Sequence, residues 1–315
     1  MKHLFLINPA AGKSDRSAAL KQQITSHCRD TLGLTPGKEF EICISKAPGD
    51  ITRWAREAAS TGEEVRLYAC GGDGTLNETV AGAAGHANAA VTSFPIGSGN
   101  DFLRLFDDPS AFSSLEKLMD HPQEAEFDLI ECNGDYAINT CSLGLDARIG
   151  TQVADFKRLP LITGGQAYIL SALVNTVKGV HRHYRVEVDG QTFDGNRTMI
   201  FVGNGRWYGG GFQPVPDADP TDGLLDVLLV APVSRLKVLQ VINPYKQGKY
   251  RDYPDLIRHF RTDRLTITCD APEAICLDGE LKMGKVAEIR LIPKGLRVFY
   301  PKNLTWQAAS PALTK

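Results

Sequence analysis

The sequence predicts an α/β N-terminal domain, with a parallel sheet covered by helices on both faces, followed by a C-terminal domain rich in antiparallel strands. Three observations predict it. Short apolar runs alternate with helix-period segments through the first part of the chain, the pattern of repeated strand–helix–strand units. Two glycine-rich turns, around Gly72 and Gly97, each follow such an apolar run, where open parallel sheets present their ligand-binding edge. Beyond about residue 130 the texture changes to short alternating strands separated by turn residues. A length of 315 residues also favours two domains over one. The division is drawn at residues 1–130 for the α/β domain and 131–295 for the β-rich domain, with 296–315 returning to complete the first.

Taken in order, Leu4 to Ile7 is an apolar run stopped by Asn8-Pro9, and reads as a buried strand. Ser14 to Leu32 carries helical spacing, with Ser14 or Asp15 available as N-cap. Phe40, Ile42 and Ile44 alternate as a second strand, and Pro48-Gly49-Asp50 opens a helix through Ala59. Val65 to Cys70 is a third strand, Leu76 to Ala84 a helix, and Val91 to Ile96 a fourth strand. In the second domain, Tyr136 to Leu145 reads as a strand after the turn Asn133-Gly134-Asp135. A helix is expected over Ala167 to Lys178, with Ile169, Leu170, Leu173, Val174 and Val177 on one face. Tyr184, Val186 and Val188 alternate into Asp189-Gly190, a hairpin signal. Further strands are read at Met199–Val202, Leu224–Val230, Leu265–Thr268, Ala274–Leu277 and Glu288–Ile292.

Composition narrows the function classes. Hydrophobic content of 43% and charged content of 23% are those of an ordinary globular protein. A net charge of −2 provides no global attraction to nucleic acid, which is not expected as a partner; attraction to an anionic membrane would need a local patch. Seven cysteines without a C-x-x-C pair fit buried thiols in a reducing compartment better than zinc or disulfides. The N-terminal apolar run is too short for a signal peptide, and no run of about eighteen apolar residues is present. The expected location is cytoplasmic, peripheral to the membrane if the substrate is a lipid.

The strongest chemical signal is Gly71-Gly72-Asp73-Gly74-Thr75-Leu76-Asn77-Glu78. A phosphate needs close approach by backbone N–H groups, which residues without a Cβ permit, and it gains from the positive end of the helix that follows. Asp73 suits a metal bridging nucleotide phosphates, although glycines in a turn are also explained by the turn alone. The loop Pro95-Ile96-Gly97-Ser98-Gly99-Asn100-Asp101-Phe102 repeats the logic, so that Asp73 and Asp101 are expected to converge at one sheet edge. Asn8-Pro9-Ala10-Ala11-Gly12-Lys13-Ser14 is not a P-loop, because Ile7 stands where that pattern requires glycine.

These segments, with Asp278-Gly279-Glu280, occur in the order and approximate spacing of the diacylglycerol kinase catalytic family, which includes bacterial lipid kinases and sphingosine kinases. The chain resembles that family from the first strand to about Tyr300. Leu76-Asn77-Glu78 beside the glycines favours it over NAD kinases and phosphofructokinases, which share only a Gly-Gly-Asp-Gly core. The resemblance implies a Rossmann-like α/β domain, a β-sandwich, an ATP cleft between them, and a lipid hydroxyl as acceptor. It implies nucleotide contacts at Asn8, Ser45, Gly71, Gly72, Asp73, Gly74, Thr75, Leu76, Asn77, Glu78 and Ser98. Asp73, Asp101 and Asp128 match a trio linked to a catalytic Mg²⁺ through water. Without that match, Asp128 reads as a strand-end carboxylate. Glu280 becomes the general base, supported by Asp278. Pro216 to Asp226 resembles a second, structural Mg²⁺ or Ca²⁺ loop, with the Asp222 carboxylate and the backbone carbonyls of Asp219 and Leu224 as ligands; an Asp-rich hairpin turn is the plainer alternative.

The stretch Tyr245 to Tyr253, with Arg258, His259 and Arg261, reads first as a solvated helix face and second as a surface for lipid headgroups. His181 and His183 read as an exposed strand rather than a metal pair. Two alternatives stand beside the lipid kinase: a kinase of a soluble polyol or nucleotide, and a nucleotide-binding regulator without catalysis. The presence of every candidate carboxylate argues against the regulator. Transient membrane contact is expected, and a homodimer is compatible with the sequence.

Overall fold

The computed structural model describes residues 1–97, 99–145, 147 and 181–306. The expected helix over Ala167 to Lys178 and the candidate Ser98 lie outside the described residues. Two compact units divide the chain. The first comprises Met1–Phe127 with the segment from Lys294 to Trp306, and the second Asp128–Pro293.

The first unit is an α/β domain with a parallel sheet. Its strands are β1 (Lys2–Ile7), β2 (Phe40–Ile44), β3 (Val65–Gly71) and β4 (Ala89–Pro95). They order as β2-β1-β3-β4, and Arg297 and Val298 of the last strand extend the sheet in parallel beside Ala90 and Val91. The central strands β1, β3 and β4 are buried almost end to end, as expected when both faces are covered and no polar alternation is needed. Helices α1 (Ser17–Thr25), α2 (Asp50–Ala59) and α3 (Asp73–Ala83) connect them, and a short α4 (Leu115–Met119) follows. Aromatic packing ties the returning segment to this core: Tyr68 meets Phe299 at 5.0 Å and Phe127 meets Trp306 at 5.2 Å between ring centroids.

Three expectations are corrected here. The helix after Ser14 starts later, with Arg16 at the N-cap; Asp15 instead accepts a hydrogen bond from the Ser17 N–H, and the helix ends in a π-helical turn over Ser26–Thr31. The helix expected from Leu76 begins three residues earlier, at Asp73, directly after the N-cap Gly72. The sequence marks the strand β5 (Gln123–Cys132) only by a strand end at Asp128, because its first half, Gln-Glu-Ala-Glu, is polar and exposed or half-buried.

The second unit is an antiparallel β-sandwich domain. It contains β6 (Asp135–Ala137), β7 (Thr140–Gly144), β8 (Arg182–Val188), β9 (Gln191–Arg197), β10 (Met199–Gly203), β11 (Leu225–Val230), β12 (Ile257–Thr262) and β13 (Arg264–Leu277). The 21-residue β14 (Glu280–Tyr300) follows. The boundary between the units falls inside β5 and β14. Strand order runs β12-β11-β10-β7-β13, with β8 and β9 added beyond β13. On β8 the buried positions Tyr184, Val186 and Val188 alternate with more exposed ones, as the sequence predicts. On β10 and β11 successive residues feed two different cores: Ile200, Val202, Val227 and Leu229 face one, Phe201 and Leu228 the other. The second core is closed by α5 (Arg235–Lys246) and by Tyr245 and Tyr250. The strands expected at Leu265 and Ala274 are one continuous β13, broken in register by a bulge between Thr268 and Glu273. The Tyr136–Leu145 strand is instead two, bent at Ile138-Asn139.

Candidate active site

In the first unit three loops leave the carboxyl ends of β1, β3 and β4 and pack backbone against backbone. Ile96 and Gly97 donate to the Gly71 carbonyl at 2.9 and 3.1 Å, Asp73 N–H donates to the Gly99 carbonyl at 3.1 Å, and Asn8 N–H donates to the Cys70 carbonyl at 3.1 Å. This closeness is why glycines stand here. A Cβ on Gly72 would lie 2.9 Å from the Gly99 oxygen, and one on Gly12 would lie 2.8 Å from the Ile96 oxygen, with Gly12 also at φ +89°. The Asn8 amide then crosses to α3, donating to Thr75 Oγ1 at 3.1 Å. Ser45, at the end of β2, is held by its N–H to the Ile7 carbonyl at 2.9 Å.

The octet divides its tasks. Gly72 caps α3 without a side chain, so no side-chain acceptor occupies the positive end of the 11-residue helix. Thr75, Leu76 and Asn77 are buried, whereas Gly74 is exposed. Glu78 accepts from the Gly49 N–H at 3.1 Å and from Thr52 Oγ1 through its carbonyl at 3.0 Å, so it fastens the loop after β2 to α3. Asp73 and Asp101 are brought together: the Asp101 N–H donates to Asp73 Oδ1 at 2.7 Å. Asp101 is 5% exposed and also receives Arg104 Nε at 3.0 Å. The positive end of a helix beside two carboxylates is suited to a polyphosphate and the hard cation that accompanies it.

Asp128 and Asp278 belong to the second unit. Asp128 lies inside β5 rather than at a strand end, and it is 2% exposed. Its N–H donates to the Pro220 carbonyl at 2.7 Å and its Oδ2 accepts the Gly223 N–H at 2.9 Å. The loop with the second candidate metal set therefore grips Asp128. In that loop Asp219 Oδ1 accepts from the Thr221 N–H at 3.1 Å and from Oγ1 at 2.7 Å, while Asp222 Oδ1 accepts the Leu224 N–H at 3.0 Å. Arg261 holds the other Asp222 oxygen. Burial pushes the Asp222 carboxyl above its ordinary range, opposed by the Arg261 charge. Among the described residues, no three His, Cys, Asp or Glu side chains are gathered as a direct metal cage.

Asp278 and Gly279 form a two-residue hairpin turn between β13 and β14, with φ +47° and +96°, the left-handed pair that Asp-Gly accommodates. Glu280 is exposed at the first position of β14. Three residues that the motifs did not flag complete this region: Asn139, Asn204 and Gly205. Asn204 is fully buried, donating through Nδ2 to the Asp128 carbonyl at 2.9 Å and the Ile138 carbonyl at 2.7 Å. The only sequence signal was a polar Asn-Gly-Arg directly after a wholly apolar strand.

The basic stretch is not one solvated face. Tyr245 and Tyr250 are buried, Arg251 pairs with Asp217 at 2.7 Å, and Arg258, His259 and Arg261 lie on β12. His183 sits on β8 within 2.9 Å of Asp194, both partly exposed.

Comparison with known proteins follows this division. Residues 2–132 match the diacylglycerol kinase catalytic domain, and residues 139–300 match the YegS C-terminal NAD kinase beta sandwich-like domain. Proteins of Staphylococcus aureus strains Mu3 and MRSA252, the former bearing the name "Putative lipid kinase", are each 26% identical over 271 residues, covering 85% of this chain and 88% of theirs. Among solved structures, one titled as a "putative diacylglycerol kinase from Bacillus anthracis" superposes with a TM-score of 0.74 at 24% identity, covering 96% of this chain and 97% of that one. Yeast NADH kinase complexed with NADH reaches 0.51 at 11% identity, over 96% of this chain and 84% of its own, a likeness of fold. The chain belongs to the diacylglycerol kinase family.

Proposed function

We propose that this member of the diacylglycerol kinase family transfers the γ-phosphoryl group of ATP to a lipid hydroxyl in a Mg²⁺-dependent reaction. The observation that carries the reading is the closure of the β1, β3 and β4 loops, glycine backbone against backbone, beside the paired Asp73 and Asp101. In this reading the amides at the start of α3 bind phosphate oxygens, and Asn8 and Ser45 orient the nucleotide. Bound Mg²⁺ would neutralise charge on the transferred group, and Asp73 and Asp101 would hold its waters. Glu280 accepts the proton of the attacking alcohol, which is a poor nucleophile while protonated. Phosphoryl transfer asks the protein mainly for positioning and charge stabilisation.

Support for membrane contact comes from α5. Leu236 is 74% and Leu239 44% exposed on one helical face, and the helix carries Lys237 and Lys246 with no acidic residue. Exposed leucines beside basic residues suit the surface of an anionic bilayer. No helix among the described residues is long and apolar enough to cross a membrane.

The test is mass spectrometry of a total lipid extract after incubation with protein, Mg²⁺ and ATP, run beside an extract of soluble metabolites. A lipid gaining one phosphate, and losing that gain with Asp73→Ala or Glu280→Ala, is the expected result. Phosphorylation confined to the soluble extract would replace the lipid acceptor. ATP binding with no product in either extract would refute the kinase.

A further inference from the structure

Asp278 is the other carboxylate of the Asp-Gly-Glu turn, and its surroundings are unlike those of a proton acceptor. Both oxygens are met by backbone N–H groups at the bend between β6 and β7: Oδ2 by Ile138 at 2.7 Å and Asn139 at 3.2 Å, Oδ1 by Asn139 at 3.1 Å and Thr140 at 2.8 Å. The Asp278 N–H returns a bond to the Thr140 carbonyl at 3.0 Å. A carboxylate enclosed by three amides is stabilised as the anion and has its lone pairs directed into the protein.

The enclosed bend is in turn built into a larger frame. The Asn139 carbonyl accepts the N–H groups of Asn204 and Gly205 at 2.8 and 2.9 Å. A Cβ on Gly205 would stand 2.4 Å from Asn139 Oδ1, so a larger residue would have to push that side chain aside where the two loops meet. Asn204 Nδ2 bridges the Ile138 and Asp128 carbonyls. Asp128 continues through its carboxylate to Gly223. One unbroken set of hydrogen bonds therefore links the turn carrying Glu280 with the strand carrying Asp128.

We infer that Asp278 and Asn204 are positioning residues: Asp278 clamps the Glu280 turn onto the β6–β7 bend, and Asn204 sets that bend in register with Asp128. Neither touches the reacting atoms. This rests on the reading of Glu280 as general base, and it assigns Asp278 to structure rather than to proton transfer or metal ligation. Asp278 therefore acts through Glu280 alone, which gives it a signature that an independent catalytic group lacks.

The experiment is a double-mutant cycle on lipid phosphorylation, combined with hydrogen exchange. Asp278→Asn keeps the shape but turns an NH₂ group towards amide donors; it should lower kcat by on the order of 100-fold, the effect of misplacing a reacting group by about 1 Å. The KM for ATP and the Mg²⁺ concentration at half-maximal rate should stay within about twofold, since neither ligand is lost. Asp278→Asn combined with Glu280→Gln should be no slower than Glu280→Gln alone. Multiplying losses, or a raised Mg²⁺ requirement, would overturn the assignment. Independently of turnover, amides 138–140 should exchange faster in Asp278→Asn and in Asn204→Ser, but not in Glu280→Gln; unchanged protection in both would overturn the frame. If the wild-type protein phosphorylates no lipid, the function proposed above fails, while the exchange result still decides whether the clamp exists.

Discussion

Gly12 and Gly49 offer a matched pair for testing the loop closure. Both have a left-handed backbone, φ +89° and +86°, so alanine pays the same conformational penalty at either, about 1–2 kcal/mol. Their surroundings differ. A Cβ at Gly49 meets nothing within 4 Å, whereas at Gly12 it lies 2.8 Å from the Ile96 carbonyl oxygen. That oxygen belongs to backbone held by the Ile96 and Gly97 bonds to Gly71, so it cannot swing aside as a side-chain tip would. Overpacking of this kind adds about 1–3 kcal/mol. Gly12→Ala should therefore cost about 2–5 kcal/mol in total, against about 1–2 for Gly49→Ala. At about 2–4 °C per kcal/mol for a chain segment of this size, the Tm of Gly12→Ala should fall several degrees further. Thermal denaturation checks the stability difference, and ATP titration of the folded variants checks the site: Gly12→Ala should weaken ATP binding at least tenfold and Gly49→Ala less than twofold. Equal Tm losses with equal ATP affinity would refute the claim that these loops are pressed together around the nucleotide.

Glu280→Gln should retain ATP binding while losing on the order of 100-fold or more in kcat, measured by radiolabel transfer; retention of near wild-type turnover would remove Glu280 as the base. Asp73→Asn keeps an acceptor for the Asp101 N–H but removes a charge, so it should raise the Mg²⁺ concentration needed for half-maximal rate without lowering Tm by more than about 2 °C. His3, buried and hydrogen-bonded to Tyr68, is held neutral down to about pH 4, first by burial and then by the Arg66 charge. Because its folded pKa lies below the unfolded value, the unfolded chain takes up the proton first, and stability is lost as pH falls from about 6.5 to about 4, by on the order of 3 kcal/mol. His3→Gln should flatten the urea midpoint across that range. Leu236→Asp with Leu239→Asp should reduce sedimentation with anionic phospholipid vesicles at least tenfold while leaving Tm unchanged, because both side chains are exposed.

Much of the architecture was legible in the sequence because burial and period say the same thing. Strands buried on both faces are predominantly apolar, which marks β1, β3 and β4, while β8 is covered on one face and alternates. Where a strand leaves the core the signal fails. The first half of β5 is exposed or half-buried and polar, so composition alone reads it as loop although the backbone pairs. The long β13 was split into two because its bulge interrupts the alternation that a reader follows. The starts of α1 and α3 shifted for a local reason: Asp15 serves α1 from beside its N-cap whereas Gly72 is itself the N-cap of α3, and spacing does not distinguish the two roles.

The candidate site divides along the same physical line. Glycines that a backbone contact demands, and the Asp-Gly turn ahead of Glu280, are local requirements, so the sequence by itself determined where tight turns stand and that carboxylates flank them. Which backbone a carboxylate meets can depend on atoms far along the chain, 140 residues away for Asp278 and Ile138. Asp278 encloses amides 138–140, and Asn204 reaches both Ile138 and Asp128; neither partnership leaves a trace in neighbouring residues. Only the tertiary structure decided that Asp278 is a clamp and Asn204 a hub, because a hydrogen bond is directional and its partners are chosen by the fold rather than by the chain's order.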